Sequence, residues 1–276
     1  MTQTWPLVAV AFGDAVALAS AVLLLRAPVP RLRRKNHRGR LVPAILGVGL
    51  VGAVVVATVV TVAIAPRPYE LDEVVVGALV GSLALCAVGV VDDLAGGRAR
   101  GFRGHLGTTL RSGRPTTGIV KLAVGVVAGI SLAVLMGGGS LRVTSAAVLI
   151  AVATNVWNAL DVVPGRALKA AIIALLPVLW ASWLQPASLV AGATLGAAVV
   201  LLPFDLLERG MLGDAGSNPL GFLVGVGLAA TLPAYGLVAA AGIGLLLQLA
   251  AETVTISRLV DASPPIRWLD RLGRRA

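Results

Sequence analysis

Acid is scarce in this chain. Its 276 residues include 13 Asp and Glu against 23 Lys and Arg; only 13% are charged and 57% are hydrophobic. So little charge across so much apolar sequence excludes an ordinary soluble domain, whose helices would show polar stripes. Cysteine is nearly missing. The lone Cys86 lies inside an apolar run and can build neither a disulfide nor a thiolate metal site. Histidine is limited to His37 and His105, in separate loops, so no His pair is available to a metal. No soluble domain, linker, low-complexity tail or internal repeat is visible. The missing repeat argues against a transporter built from inverted halves. The net charge of +10 could mark a nucleic-acid binder. Positive loops on the inner face of a membrane explain it better, and no nucleic-acid partner is expected.

What is present is apolar sequence in lengths that cross a bilayer. Nine spans can be drawn, at 7–25, 42–65, 74–91, 117–136, 143–160, 167–184, 187–204, 218–232 and 233–253. The break between the last two rests on Pro233 and on length, so eight is the alternative. Residues 1–10 lack a basic n-region and no small-residue cleavage site follows, so the first apolar segment reads as a retained helix. The fold class is all-α: a polytopic membrane bundle of about nine transmembrane helices. Residues 1–256 form one membrane domain and 257–276 a cytoplasmic tail. In that tail Ile266, Leu269 and Leu272 share one helical face and Arg267, Arg271 and Arg274 another, with Trp268 near the boundary. Such a helix lies in the inner interface. All 23 basic residues except Arg67 and Arg142 fall on alternate connections. That bias puts those loops in the cytoplasm, the N-terminus outside and the C-terminus inside, as expected of a multi-pass cell-membrane protein with a cytoplasmic working face.

The few acids then gather. Asp92, Asp93, Asp161, Asp205, Glu208 and Asp214 all fall at cytoplasmic span ends or in the loops beside them. Asp205 and Glu208, beside Arg209, read as solvated helix ends. So does Asp14, taken as the exposed outer end of a shifted first helix. Asp92, Asp93, Asp161 and Asp214 sit inside structured motifs. V-V-D-D-L-A-G-G ends the third span, where adjacent carboxylates repel and call for a cation. In N-V-W-N-A-L-D, Asn155, Asn158 and Asp161 follow offsets of three and six along one helical stripe. In M-L-G-D-A-G-S-N-P-L-G, the Gly213–Ser217 turn leads into a new helix whose N–H groups suit an anion such as phosphate, which makes Gly216 and Ser217 phosphate-binding candidates. Hard oxygen donors with open positions beside them describe a magnesium site shared with substrate phosphates. Basic side chains near it would serve phosphoryl transfer: Arg103 and His105, Lys121, Arg166 and Lys169.

In this order the three motifs resemble the polyprenyl-phosphate N-acetylhexosamine-1-phosphate transferase superfamily, glycosyltransferase family 4, relatives of the phospho-N-acetylmuramoyl-pentapeptide transferases. Asp92-Asp93 is similar to its D-D motif, Asn155–Asp161 to N-x-x-N-x-x-D and Gly213–Ser217 to G-D-x-G-S. K-N-H-R-G-R-L-V-P, beginning at Lys35, is similar to the first cytoplasmic loop of many members and adds Asn36 to the substrate-binding candidates. The resemblance implies transfer of a sugar 1-phosphate from a UDP-sugar to a polyprenyl phosphate, with Mg²⁺ (Mn²⁺ as the alternative), releasing UMP for envelope polymer or glycan synthesis. It implies Asn158 and Asp214 as metal contacts, Asp92 or Asp93 at the lipid phosphate, Asp161 in support, Asn155 as a further substrate-binding residue, Lys121 on a phosphate, and a homodimer. The chain departs from the pattern in three ways, one of them that nine spans are drawn where the bacterial enzymes usually have ten. Val162, Val163 and Pro164 separate Asp161 from Gly165 where the family has a glycine-rich turn, and the His motif of the bacterial enzymes is missing. Those departures keep open a second class, a non-catalytic polyprenyl-phosphate-binding scaffold or regulator. A transporter or flippase would instead need ionisable groups near mid-membrane.

Overall fold

The computed structural model describes residues 4–27, 30–95, 109, 113, 115–254 and 256–274. Among them run nine long helices, as befits apolar sequence in a medium where every backbone polar group must be satisfied within the chain. They are α1 (Trp5–Arg26), α2 (Leu46–Ile64), α3 (Glu73–Ala95), α4 (Thr117–Met136), α5 (Ser140–Leu160), α6 (Arg166–Ala181), α7 (Ala187–Leu206), α8 (Asp214–Thr231) and α9 (Ala234–Thr253). Two short ones follow, α10 (Ile256–Ala262) and α11 (Pro264–Arg271). The break at Pro233 is present, with Leu232 closing α8 and Pro233 opening α9. Among the described residues the count is therefore nine long helices, not eight. Seven of them are long and apolar enough to cross a membrane. Of the other two, α6 has 16 residues and α8 is enclosed by its neighbours. The protein is a polytopic helical membrane protein.

The core is organised around α8. Every residue from 215 to 227 is buried, and α8 packs against α2, α3, α4, α5, α6 and α7. Helices in lipid associate through close van der Waals fit, so small residues sit where backbones meet. A Cβ at Gly47 would lie 2.2 Å from the Gly216 nitrogen, and one at Gly89 would lie 2.4 Å from the Asp214 carbonyl oxygen. Glycine alone lets α2 and α3 approach the start of α8 this closely. At the far end of α8, Arg142 donates to the carbonyls of Ala229 (3.1 Å) and Leu232 (3.0 Å), satisfying acceptors that the helix leaves open.

Three parts of the sequence reading are corrected. The second span does not begin at residue 42. Strand β1 (Arg33–Lys35) pairs antiparallel with β2 (Leu41–Pro43), Arg34 opposite Val42. Met211 N–H then donates to the Pro43 carbonyl (2.9 Å) and Leu46 N–H to the Met211 carbonyl (3.2 Å). These bonds hold the chain extended until α2 starts at Leu46. Helix α3 runs past its apolar stretch to Ala95, which places Asp92 and Asp93 inside the helix. Asp14 lies near the middle of α1, not at an exposed outer end. Its Oδ1 is buried and meets no partner among the described residues.

Candidate active site

The acids meet at the end of the bundle where α3 and α5 finish and α4 and α8 begin. Asp92 and Asp93 are one residue apart on α3 and so point about 100° apart. Each has its own partner. Asp92 faces α4, where Thr117 and Lys121 stand one turn apart on one face. The Thr117 hydroxyl donates to Asp92 Oδ1, and Lys121 Nζ lies 2.5 Å from Asp92 Oδ2. The same ammonium lies 2.7 Å from Asp214 Oδ2. One lysine thus bridges carboxylates from α3 and α8. The three side chains differ in exposure: 9% for Lys121, 11% for Asp92 and 26% for Asp214. Asp214 is the one that reaches outward.

Asp93 turns inward to the start of α8, where its Oδ2 accepts the Ala215 N–H at 3.1 Å. The N–H groups of Gly216 and Ser217 bond to the Gly213 carbonyl at 3.1 and 2.9 Å. The helix N-terminus expected to cradle phosphate is therefore already capped by a carboxylate from α3, which also meets its positive dipole end. Gly216 packs on Gly47. Ser217 is fully buried and donates to Asn158 Oδ1 at 3.0 Å. Neither offers an open phosphate site. Gly213 makes the entry possible: its φ of 66° lies in the left-handed region that favours glycine.

Helix α5 brings the Asn155–Asn158–Asp161 stripe to the same place. Asn158 joins α8 through Ser217, while the Asn155 amide reaches back to Ala151 O at 3.5 Å, in its own helix. Asp161 closes α5; the Gly213 N–H, Asp205, Asp214 and Asp93 all act on it electrostatically. Burial first, and then those carboxylates, push Asp161 well above the ordinary carboxylate range. On the hairpin side, Arg34 comes within electrostatic reach of Asp93.

Other expected residues stand elsewhere. Asp205 is not a solvated helix end: it is 3% exposed and accepts the Gly165 N–H at 2.7 Å, holding the turn after Asp161. Glu208 is also enclosed, with a 6% exposed side chain that pairs with Arg38 (3.5 Å) and Arg40 (3.4 Å) of the hairpin loop. In that loop Asn36 Oδ1 accepts the Arg38 and Arg40 N–H groups, which makes Asn36 a turn-former. Arg166 and Lys169 turn away from the acids. Arg166 forms a two-point ion pair with Asp270 (2.8 and 3.1 Å), and Lys169 Nζ donates to the carbonyls of Leu269, Asp270 and Leu272 (2.9, 2.9 and 2.6 Å). Arg103 and His105 lie outside the described residues. Sequence reasoning missed Thr117, although the T-G-I-V-K spacing puts it on the face of Lys121. It also missed Asp270, whose partner is 104 residues away.

Among the described residues no three Asp, Glu, His or Cys side chains stand close enough to hold a metal by themselves. The chemistry on hand is an ammonium shared by two carboxylates, with hard oxygens of Asn158 and Asp161 beside them. A comparison with curated proteins returns no match. The profile of the family described as "Glycosyl transferase family 4" matches residues 75–232, more than half of the chain. The match takes in Asp92, Lys121, Asn158, Asp161 and Asp214 and leaves out the hairpin and the tail. With that match over this cluster, the chain belongs to glycosyl transferase family 4, and it is a membrane protein of the glycosyl-1-phosphate transferase kind.

Proposed function

We propose that the protein transfers a sugar 1-phosphate, of N-acetylhexosamine type, from a UDP-sugar to polyprenyl phosphate at the cytoplasmic face. The observation that carries this reading is Lys121 bridging Asp92 and Asp214 at one end of the bundle. The basic loops at that end support the cytoplasmic placement. In the reaction an oxygen of the lipid phosphate attacks the phosphorus that bears the sugar. The bond from that phosphorus to the bridging oxygen breaks, and UMP leaves with the electron pair.

The cluster suits such a step. Lys121 holds two carboxylates in place at little cost in free charge, and Asp214, the most exposed of the three, meets the incoming ion or phosphate. Mg²⁺ fits the donor chemistry. Asp214 and Asn158 would hold it, and phosphate oxygens and water complete a shell that magnesium takes from few protein ligands. Bound there, it would neutralise charge on the phosphates. Asp92, engaged by Thr117 and Lys121, keeps Lys121 aimed, and Lys121 would meet a phosphate.

The test supplies purified protein with undecaprenyl phosphate, Mg²⁺ and a panel of UDP-sugars, and measures UMP. Release with one or more sugars is expected. No release with any sugar, where another family member works under the same conditions, overturns the reading. The tail's hold on Arg166 and Lys169 favours one alternative, a polyprenyl-phosphate-binding scaffold. Lipid binding without UMP release would establish it.

A further inference from the structure

The C-terminal segment does more than lie beside the bundle. Asp270 and Arg166 are each 8% exposed, and their ion pair uses two parallel contacts, the strong geometry for a guanidinium and a carboxylate. Arg166 also donates to Ser257 Oγ at 3.0 Å. Arg274 reaches Asp270 Oδ1 at 2.5 Å and, through its Nε, the Pro164 carbonyl at 2.9 Å. Lys169 caps the end of α11 by donating to the carbonyls of Leu269, Asp270 and the following Leu272. The bonds of Arg166 and Pro164 fall on one short stretch, the turn from Asp161 to Arg166, and those of Lys169 on the first turn of α6 just after it.

That turn leads into the acid cluster. Gly165 within it has a φ of 76°, and its N–H is held by Asp205 from α7. The tail holds the two neighbouring residues, Pro164 by its carbonyl and Arg166 by its side chain. At its start, Asp161 stands within electrostatic reach of the Gly213 N–H, immediately before Asp214. We infer that the C-terminal tail is a positioning element of the active site, with Asp270 and Arg274 holding the turn that sets Asp161 and, through Gly213, the entry to α8. The inference rests on the transferase reading for its effect on turnover, but not for its effect on the turn. A misplacement of about 1 Å far from the chemistry can lower a rate by as much as about 100-fold.

The experiment compares the full chain with Asp270→Ala, Asp270→Asn, and a chain ending at Val254. Each is checked for folded helix content, assayed for kcat and KM, and followed by hydrogen exchange in segments 161–166 and 211–216. Asp270→Ala and the shortened chain are expected to lose about 10- to 100-fold in kcat with KM nearly unchanged, and to exchange faster in both segments. Asp270→Asn is expected to fall between, because it keeps the shape and loses the charge. In the Arg166→Ala background, Asp270→Ala is expected to add little, as coupled partners do. Unchanged kcat and unchanged exchange without the tail overturn the inference, and so does an activity loss fully accounted for by loss of folded protein. If the full chain releases no UMP but its exchange responds to the tail, the transferase reading fails and the positioning role stands.

Discussion

Lys121 Nζ stands 2.7 Å from Asp214 Oδ2, joining the N-terminal ends of α4 and α8. Because the same ammonium also serves Asp92, removing it strands two carboxylates at once. Lys121→Met is expected to cost about 3 kcal/mol of stability and to abolish UMP release. Lys121→Arg keeps the charge but not the compact shape, and should retain fold with turnover reduced at least about tenfold. Thermal unfolding in detergent and a UMP assay check both.

Asp214→Asn separates fold from chemistry. The amide can still accept from Lys121, so folded yield should stay near that of the parent. Turnover should fall by about 100-fold or more, in line with the loss of one charged group at a transferring phosphate. Turnover equal to the parent would remove Asp214 from the site.

Asp93 should behave differently from its neighbour. Its contact is the N-terminus of α8, where Asn caps about as well as Asp and Ala does not. Asp93→Ala is expected to lose about 1–2 kcal/mol of stability. Asp93→Asn should recover most of that, as read from unfolding temperatures of the two variants beside Asp92→Ala and Asp92→Asn.

Gly89→Ala tests the packing that holds the site together. The added methyl would sit 2.4 Å from the Asp214 carbonyl oxygen, so α3 and α8 must part. A loss of about 1–3 kcal/mol with a large drop in turnover is expected. Gly52→Ala, which meets open space, is the control and should change neither.

The tail contact carries a pH signature. Burial alone would raise the Asp270 carboxyl, but the hydrogen bonds from Arg166 and Arg274 outweigh it and hold the group below its ordinary value. A lowered carboxyl stabilises docking fully above its unfolded pKa of about 3.9 and loses that contribution as pH falls through the lower folded value. The charged groups facing it are Arg166, Arg274 and Lys169. Hydrogen-exchange protection in segment 256–274, taken relative to the intrinsic amide rate at each pH, should therefore be flat from neutral pH down to about 5 and fall only below about 4. Asp270→Asn should lose that dependence.

Much of the fold was legible because a bilayer demands long apolar helices and tolerates little else. The same pressure made Asp92, Asp93, Asp161 and Asp214 conspicuous: acids are rare here, and their alternation with the spans pointed to one face. The sequence could not say what each carboxylate touches. Adjacent Asp92 and Asp93 look equivalent in a string of letters, yet the turn of a helix sends one to Lys121 and the other to the α8 N-terminus. Asp205 and Glu208 looked solvated because local polarity carries no information about a partner such as Gly165 or Arg40. Arg166 and Lys169 looked like phosphate ligands for the same reason, since their real partners lie about a hundred residues on.

The sequence by itself thus determined the class of structure and the residue types at one end of it, because transfer from water to lipid acts on each segment separately. Tertiary structure alone decided the assignments. Glycines at 47 and 89 let α2 and α3 close on α8, and that approach is what brings Asp92, Lys121 and Asp214 within hydrogen-bonding distance. The same three-dimensional contact tied the tail to the turn behind Asp161. Distances of this kind depend on how helices pack, and no property of a single segment encodes them.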